Sequence, residues 1–210
     1  SGSITPTTEL IVQNGGKFNM TGGSVVNATA FRIWGTSLAS MSLLGGNAVN
    51  IGGGNLPPFE NSNAGEHHYY IGGNFTMTVN PATASTNLIK FSDNRQTFEF
   101  NRDWTGSITW DNKTAADWQT CLTDPSNTTS RVKVDGVPVT TNNFSTLFIV
   151  SNAGAVGSSI SLGTLPPPAP PQLGFSSSGA NLQFTWGSAT GQTFDLLSST
   201  NVTTPLGSWT

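Results

Sequence analysis

Two histidines, one cysteine and eleven acidic residues are the groups from which this chain could build acid–base, nucleophilic or metal chemistry. A nucleophilic triad needs a Ser or Cys beside a His, and His67 and His68 are the only bases of that type. Adjacent strand residues point to opposite faces, so the two histidines would not normally serve one site, and an exposed loop-edge pair is the expectation. Asp93, Asp103, Asp111 and Asp117 could gather around calcium, but the chain has no D-x-[DN]-x-[DN]-G loop. Arg95 and Arg102 beside those acids supply the residue types of a polysaccharide lyase without a diagnostic spacing. Glu99 and Asp103 are equally unassignable as glycosidase carboxylates. The glycine pairs lack the Lys-Ser/Thr and the following helix of a phosphate loop. No catalytic residue, cofactor or metal site is expected.

Aromatic side chains are the stronger binding signal, because exposed Trp and Tyr stack on the apolar faces of sugars. Trp34, Tyr69 and Tyr70 are candidates, against the commoner use of strand aromatics as core. Seven N-x-S/T sequons occur, at Asn19, Asn27, Asn74, Asn112, Asn127, Asn143 and Asn201. Roughly five would arise by chance in so Asn- and Thr-rich a chain, so they permit glycans and require none.

The elements that must position these residues announce themselves as a repeat. Gly15-Gly16-Lys17-Phe18-Asn19-Met20-Thr21 and Gly72-Gly73-Asn74-Phe75-Thr76-Met77-Thr78 agree at five of seven positions, with a looser copy from Gly45 to Ile51. Each copy is a glycine turn followed by the period-2 alternation of a strand with one buried face. The spacing suits stacked repeats and predicts Phe18, Met20, Val49, Ile51, Phe75 and Met77 on one buried face. Other alternating runs are Phe31/Ile33, Phe98/Phe100 and Ile108/Trp110, with strands at Phe144–Val150 and Ser159–Leu162. Asp135-Gly136 marks a type I′ hairpin between Val132/Val134 and Val137/Val139. Thr114-x-x-Asp117 opens the one expected helix, over 114–122. Five prolines between Pro166 and Pro171 mark a stiff spacer. Beyond it Leu182/Phe184/Trp186 and Phe194/Leu196 read as a hairpin.

Charged residues make up 9% of the chain against a usual ~25%, while Gly, Ser, Thr and Asn abound. Lys and Glu, which favour exposed helix, are scarce. The composition therefore implies an all-β protein with a neutral polar surface. A net charge of −3 argues against a nucleic-acid footprint. No apolar run approaches the length of a membrane span. One cysteine, Cys121, cannot form an intrachain disulfide. The chain opens on Ser1 without a basic–apolar leader, as either a processed mature protein or a fragment would, and the low charge with much Asn, Thr and Gly favours export.

The stretch FEFNRDWTGSITW, with the later strand NFSTLFIVS, resembles bacterial secreted β-solenoid proteins of the autotransporter-passenger and pectate-lyase-like kind. The segment LQFTWGSATGQTFDLLSSTNVTTPLGSW resembles the opening strands of fibronectin type III-like modules. The expectation is thus a β-solenoid-like body over 1–164, with a β-sandwich or jelly roll as alternative. A proline-rich linker (165–171) and a partial fibronectin type III-like module (172–210) follow. The resemblance implies an extracellular structural protein: a filament, surface-layer or adhesin subunit. Its partners would be other copies of itself, with no nucleic acid and no membrane span. A half-sandwich leaves edges open, so either the copies exchange β-strands or the remaining strands lie beyond residue 210 in a longer chain. Ile4, Leu10 and Val12 of an extended arm and Phe184, Trp186 and Phe194 of the tail would form the exchange contact. The alternative is a β-solenoid that binds or degrades polysaccharide, including cell-surface polysaccharide.

Overall fold

A computed structural model of the chain describes residues 2–111, 113–123, 131–152, 158–165, 173–178 and 181–186. It divides into two compact units, Ser1–Pro166 and Pro167–Thr210. The first unit opens with β1 (Ser3–Ile4), β2 (Leu10–Gln13), β3 (Lys17–Val26), β4 (Phe31–Trp34), β5 (Ala39–Ile51) and β6 (Phe59–Ser62). Next come β7 (His67–Ile71), β8 (Thr76–Val79), β9 (Ile89–Lys90), β10 (Thr97–Phe100) and β11 (Ile108–Trp110). Helix α1 (Ala115–Thr123), β12 (Val132–Val134), β13 (Val137–Pro138), α2 (Phe144–Leu147), β14 (Phe148–Ser151) and β15 (Ser158–Leu162) complete it. The second unit contains β16 (Leu173–Ser178) and β17 (Asn181–Trp186), paired antiparallel. The protein is mostly β, as composition implied.

Parallel pairing runs in three rows. In the first, β2, β4, β6 and β9 stack Leu10, Phe31, Phe59 and Ile89 in register. In the second, the first halves of β3 and β5 continue through β7, β10 and β12, aligning Phe18, Met41, Tyr69, Phe98 and Val132. In the third, β1, the second halves of β3 and β5, β8 and β11 align Ile4, Val25, Ala48, Met77 and Ile108. Each strand meets its partner roughly 20–35 residues further along the chain, the spacing of stacked repeats. After β11 the pattern changes: β15 pairs antiparallel with β11, and β14 with β15.

The corners between rows explain the Gly and Asn content. Gly23, Gly46 and Gly73 all have positive φ where the second row turns into the third. Asn14, Gly35 and Asn63 do the same directly after β2, β4 and β6. Asn tolerates the left-handed region better than other residues with a Cβ. At Gly35 a Cβ would overlap the Asn14 side chain, so the middle corner must be glycine.

Several expectations need correction. The copy at Gly45 does stack on the copy at Gly72, but two residues out of step, with Ala48 opposite Met77. The copy at Gly15 belongs one row earlier; the corner that stacks below Gly45-Gly46 is Gly22-Gly23. Met20, Ile51, Phe75 and Met77 are buried, whereas Phe18 and Val49 are only half-buried. Residues 144–147 form a helical turn ahead of a shorter strand. The tail hairpin uses β16 as the partner of β17, and Phe194 and Leu196 lie outside the described residues. Other readings fit: Asp135 and Gly136 both have positive φ, and Pro138 lies on the end strand of its sheet. Thr114 and Asp117 cap α1 reciprocally at 2.8 and 3.2 Å. Among the described residues no helix is long and apolar enough to cross a membrane.

Candidate functional site

Strand parity decides which of the suspected residues face solvent. On β7, His67, Tyr69 and Ile71 point inward and are buried, while His68 and Tyr70 are half-buried on the outer face. Tyr69 is therefore core: its hydroxyl lies 2.9 Å from the carbonyls of Phe31 and Glu60. Burial pushes its phenol well above the usual 10, and burial with Glu99 and Glu66 nearby raises Tyr70 as well. His67 is lowered below 6.5, chiefly by burial; the Gly35 carbonyl opposes the shift without completing a hydrogen bond at Nε2. Its Nδ1 lies 3.4 Å from Gln96 Nε2. His68 instead bonds Thr97 Oγ1 (2.7 Å) and Glu66 Oε1 (3.1 Å) outside. The histidine pair is split across the sheet, as parity required, but it lies within β7 with His67 fully buried, not at an exposed loop edge.

Asp93, Asp117, Glu99 and Asp135 are engaged in structure. The Arg95 side chain and backbone N–H hold the Asp93 carboxyl down to about 2. Bonds from the Thr114 backbone and hydroxyl lower Asp117. Glu99 accepts the Gly136 N–H at 2.7 Å, and Asp135 pairs with Arg102 at 2.8 Å. Among the described residues no group of three or more His, Cys, Asp or Glu is placed to hold a metal.

The outer face of the first row carries a different arrangement. Ile11, Arg32, Glu60 and Lys90 are register neighbours across β2, β4, β6 and β9. Arg32 Nη1 donates to both Glu9 carboxylate oxygens (2.9 and 3.1 Å), while its Nε donates to Ser62 Oγ at 3.0 Å and lies 3.3 Å from Glu60 Oε2. Lys90 closes on the other Glu60 oxygen at 2.8 Å. Two residues along β4, Trp34 is 42% exposed with the Arg32 guanidinium 5.4 Å from its ring centre. Beside it opens a pocket of about 300 Å³ lined by Gln13, Asn14, Trp34, Gly35, Thr36 and Asn63. That lining contains amides, a hydroxyl and an indole but no carboxylate, histidine or lysine. It can stack and hydrogen-bond a neutral ligand, and it offers no group for proton transfer near neutral pH. Trp34 was legible as an aromatic; Gln13, Asn14 and Asn63 were not, because only the register brings them to it.

The proposed assembly residues fall in different places. Ile4 is exposed on β1 and borders a cleft of about 270 Å³ with Phe18 and Met20. Leu10 is half-buried and Val12 is buried, so β2 is packed into its own body rather than forming a loose arm. Phe184 and Trp186 lie on β17 opposite Phe175 and Leu173; Phe194 is outside the described residues. Of the sequons, Asn19, Asn27 and Asn74 are exposed. Asn143 is tied by its amide nitrogen to the Pro138 carbonyl at 2.9 Å, and Asn112, Asn127 and Asn201 are outside the described residues.

No protein-family model, curated protein or solved structure matches this chain.

Proposed function

We propose that the first unit is a β-solenoid and that the chain is an extracellular structural subunit of a filament, surface layer or adhesin. Three rows of parallel, in-register pairing at repeat-like spacing support the solenoid reading. The observation that carries the structural role is the asymmetry of the body's two ends. Toward the C-terminus β9 also ends its sheet, paired only with β6 among the described residues, but antiparallel β14 and β15 follow β11, Pro138 occupies the end strand β13, and α1 buries Trp118 and Leu122. Toward the N-terminus, β2 pairs only with β4, and residues 17–20 of β3 pair only with β5, among the described residues. Unpaired N–H and C=O groups along such an edge invite a strand from another molecule. The two-stranded β16–β17 sheet also has both outer edges unpaired among the described residues. Strand addition between copies would satisfy these groups, and head-to-tail repetition of the contact gives an open polymer. The low charge and the Asn- and Thr-rich surface support an extracellular setting.

Electron microscopy and light scattering of the full chain, and of a chain lacking residues 1–8, test this reading. The shorter chain keeps β2 and the core beneath it but loses β1 and the exposed Ile4. Filaments or long oligomers are expected from the full chain and much shorter ones from the truncation, with unchanged circular dichroism. A full chain that remains monomeric at every soluble concentration overturns the proposal.

A further inference from the structure

We propose that the pocket beside Trp34 is a binding site for a neutral saccharide. The site stands apart from the assembly proposed above: a subunit that failed to polymerise would still bind. Its shape comes from three stacked corners. Gln13, Trp34 and Ser62 are register neighbours at the ends of β2, β4 and β6, and Asn14, Gly35 and Asn63 follow them with positive φ. Gly35 lacks a side chain there and the Asn14 side chain lies over it, while Gln13, Trp34, Thr36 and Asn63 complete the lining. At about 300 Å³ it sits at the lower limit of ligand pockets, enough for a mono- or disaccharide unit and not for a folded peptide element.

The chemistry of the lining selects the ligand class. An exposed indole offers an apolar, electron-rich face to the axial C–H groups of a sugar ring. Gln13, Asn14 and Asn63 amides and the Thr36 hydroxyl both donate and accept, which suits hydroxyl groups that do the same. The charges next door cancel: Glu9 and Glu60 face Arg32 and Lys90 in one ladder. Arg32, which lies over Trp34, donates to Glu9 and Ser62 and faces Glu60, so it is not left to recruit an acidic sugar. The ladder also holds the indole, because the guanidinium that lies against it is fixed from both sides.

The test uses the full chain with hexasaccharides of β-1,4-glucose, α-1,4-glucose, β-1,4-N-acetylglucosamine and galacturonate, read by calorimetry and by tryptophan fluorescence. At least one neutral oligosaccharide is expected to bind, with little dependence on salt. Trp34→Ala should weaken it at least about tenfold, ~1.4 kcal/mol. Trp34→Phe should retain part of the affinity, and Asn63→Ala should lower it several-fold. Because Trp34 is 42% exposed, the melting temperature of Trp34→Ala should stay near that of the parent, which separates lost binding from lost fold. Four results would overturn the proposal: no binding to any neutral sugar, binding that Trp34→Ala leaves intact, salt-sensitive binding to galacturonate alone, or loss of self-association in Trp34→Ala without any sugar binding.

Discussion

Replacing Tyr69 by phenylalanine removes one oxygen from the centre of the body and little else. The ring packs against Phe59 and Phe98 with centroids 5.3 and 5.7 Å away, and Tyr69→Phe keeps both contacts. What goes is a hydroxyl 2.9 Å from the carbonyls of Phe31 and Glu60, the one on β4 and the other on β6. Tyr69 itself belongs to the second row, so this hydroxyl reaches across the interior to hold the first row at a fixed distance. One proton serves one acceptor at a time, so a single bond is lost and a buried carbonyl loses a partner. That costs about 1–3 kcal/mol. Tyr69→Ala also empties the site of the ring and should cost about 3–5 kcal/mol. At about 2–4 °C per kcal/mol for a domain of this size, Tyr69→Phe should melt about 2–12 °C below the parent. Urea and thermal unfolding followed by circular dichroism measure both. The chain has only two tyrosines, so alkaline titration near 295 nm gives a second readout. Burial holds Tyr69 protonated well above 10, and its signal should emerge only on unfolding. If Tyr69→Phe is as stable as the parent, or Tyr69 ionises near its ordinary value in the folded protein, the rows are not joined in this way.

Two further outcomes follow from the same interior. Phe75 is fully buried beside the Gly73 corner, and Phe75→Ala should destabilise by about 3–5 kcal/mol; a loss below about 1 kcal/mol in urea unfolding would refute the placement. His67 is held below 6.5 by burial, so the unfolded chain takes up the proton first as the pH falls. Its contribution is complete above 6.5 and is lost as the pH drops toward the lowered folded value; His67→Gln should flatten the urea midpoint across that window.

The fold was legible where a residue's neighbours in sequence decide its state. The alternation of Phe98 with Phe100 and of Ile108 with Trp110, the capping pair Thr114/Asp117 and the Asp135-Gly136 turn all depend on contacts within a few residues. The parity that separates His67 from His68 is equally local, although it could not say that Tyr69 shares the buried side. Register was not legible. Gly15-Gly16 and Gly72-Gly73 precede similar strands, so they look alike, but a glycine pair reports only that the chain turns there. Which corner stacks on which is decided by inward side chains roughly 20–35 residues apart, whose complementarity no local motif encodes. The better local signal was asparagine at Asn14, Asn27, Asn50 and Asn63, each with positive φ. Read with the glycines, these residues mark the corners more evenly than the glycine pairs do. The Trp34 pocket was hidden for the same reason, since its walls come from three different turns of the chain.

Register must nevertheless be specified, because parallel rows of similar strands could slip by a whole repeat while keeping apolar residues inside. The outer ladder of the first row is suited to prevent that. Its order is Glu9, Arg32, Glu60, Lys90, with opposite charges at each step and Glu60 only 2% exposed. Moving β9 one place along the row would set Lys90 against Arg32, and leaving it out would strip Glu60 of one of its two cations. A buried carboxylate without compensation costs several kcal/mol, far more than an exposed pair contributes. The ladder's net stabilisation in the native register is therefore small, because desolvating Glu60 offsets most of the attraction. Its effect lies in the penalty on the alternatives. The inward residues Phe31, Phe59 and Ile89 supply cohesion that many registers could share, while the outward charges make one of them affordable.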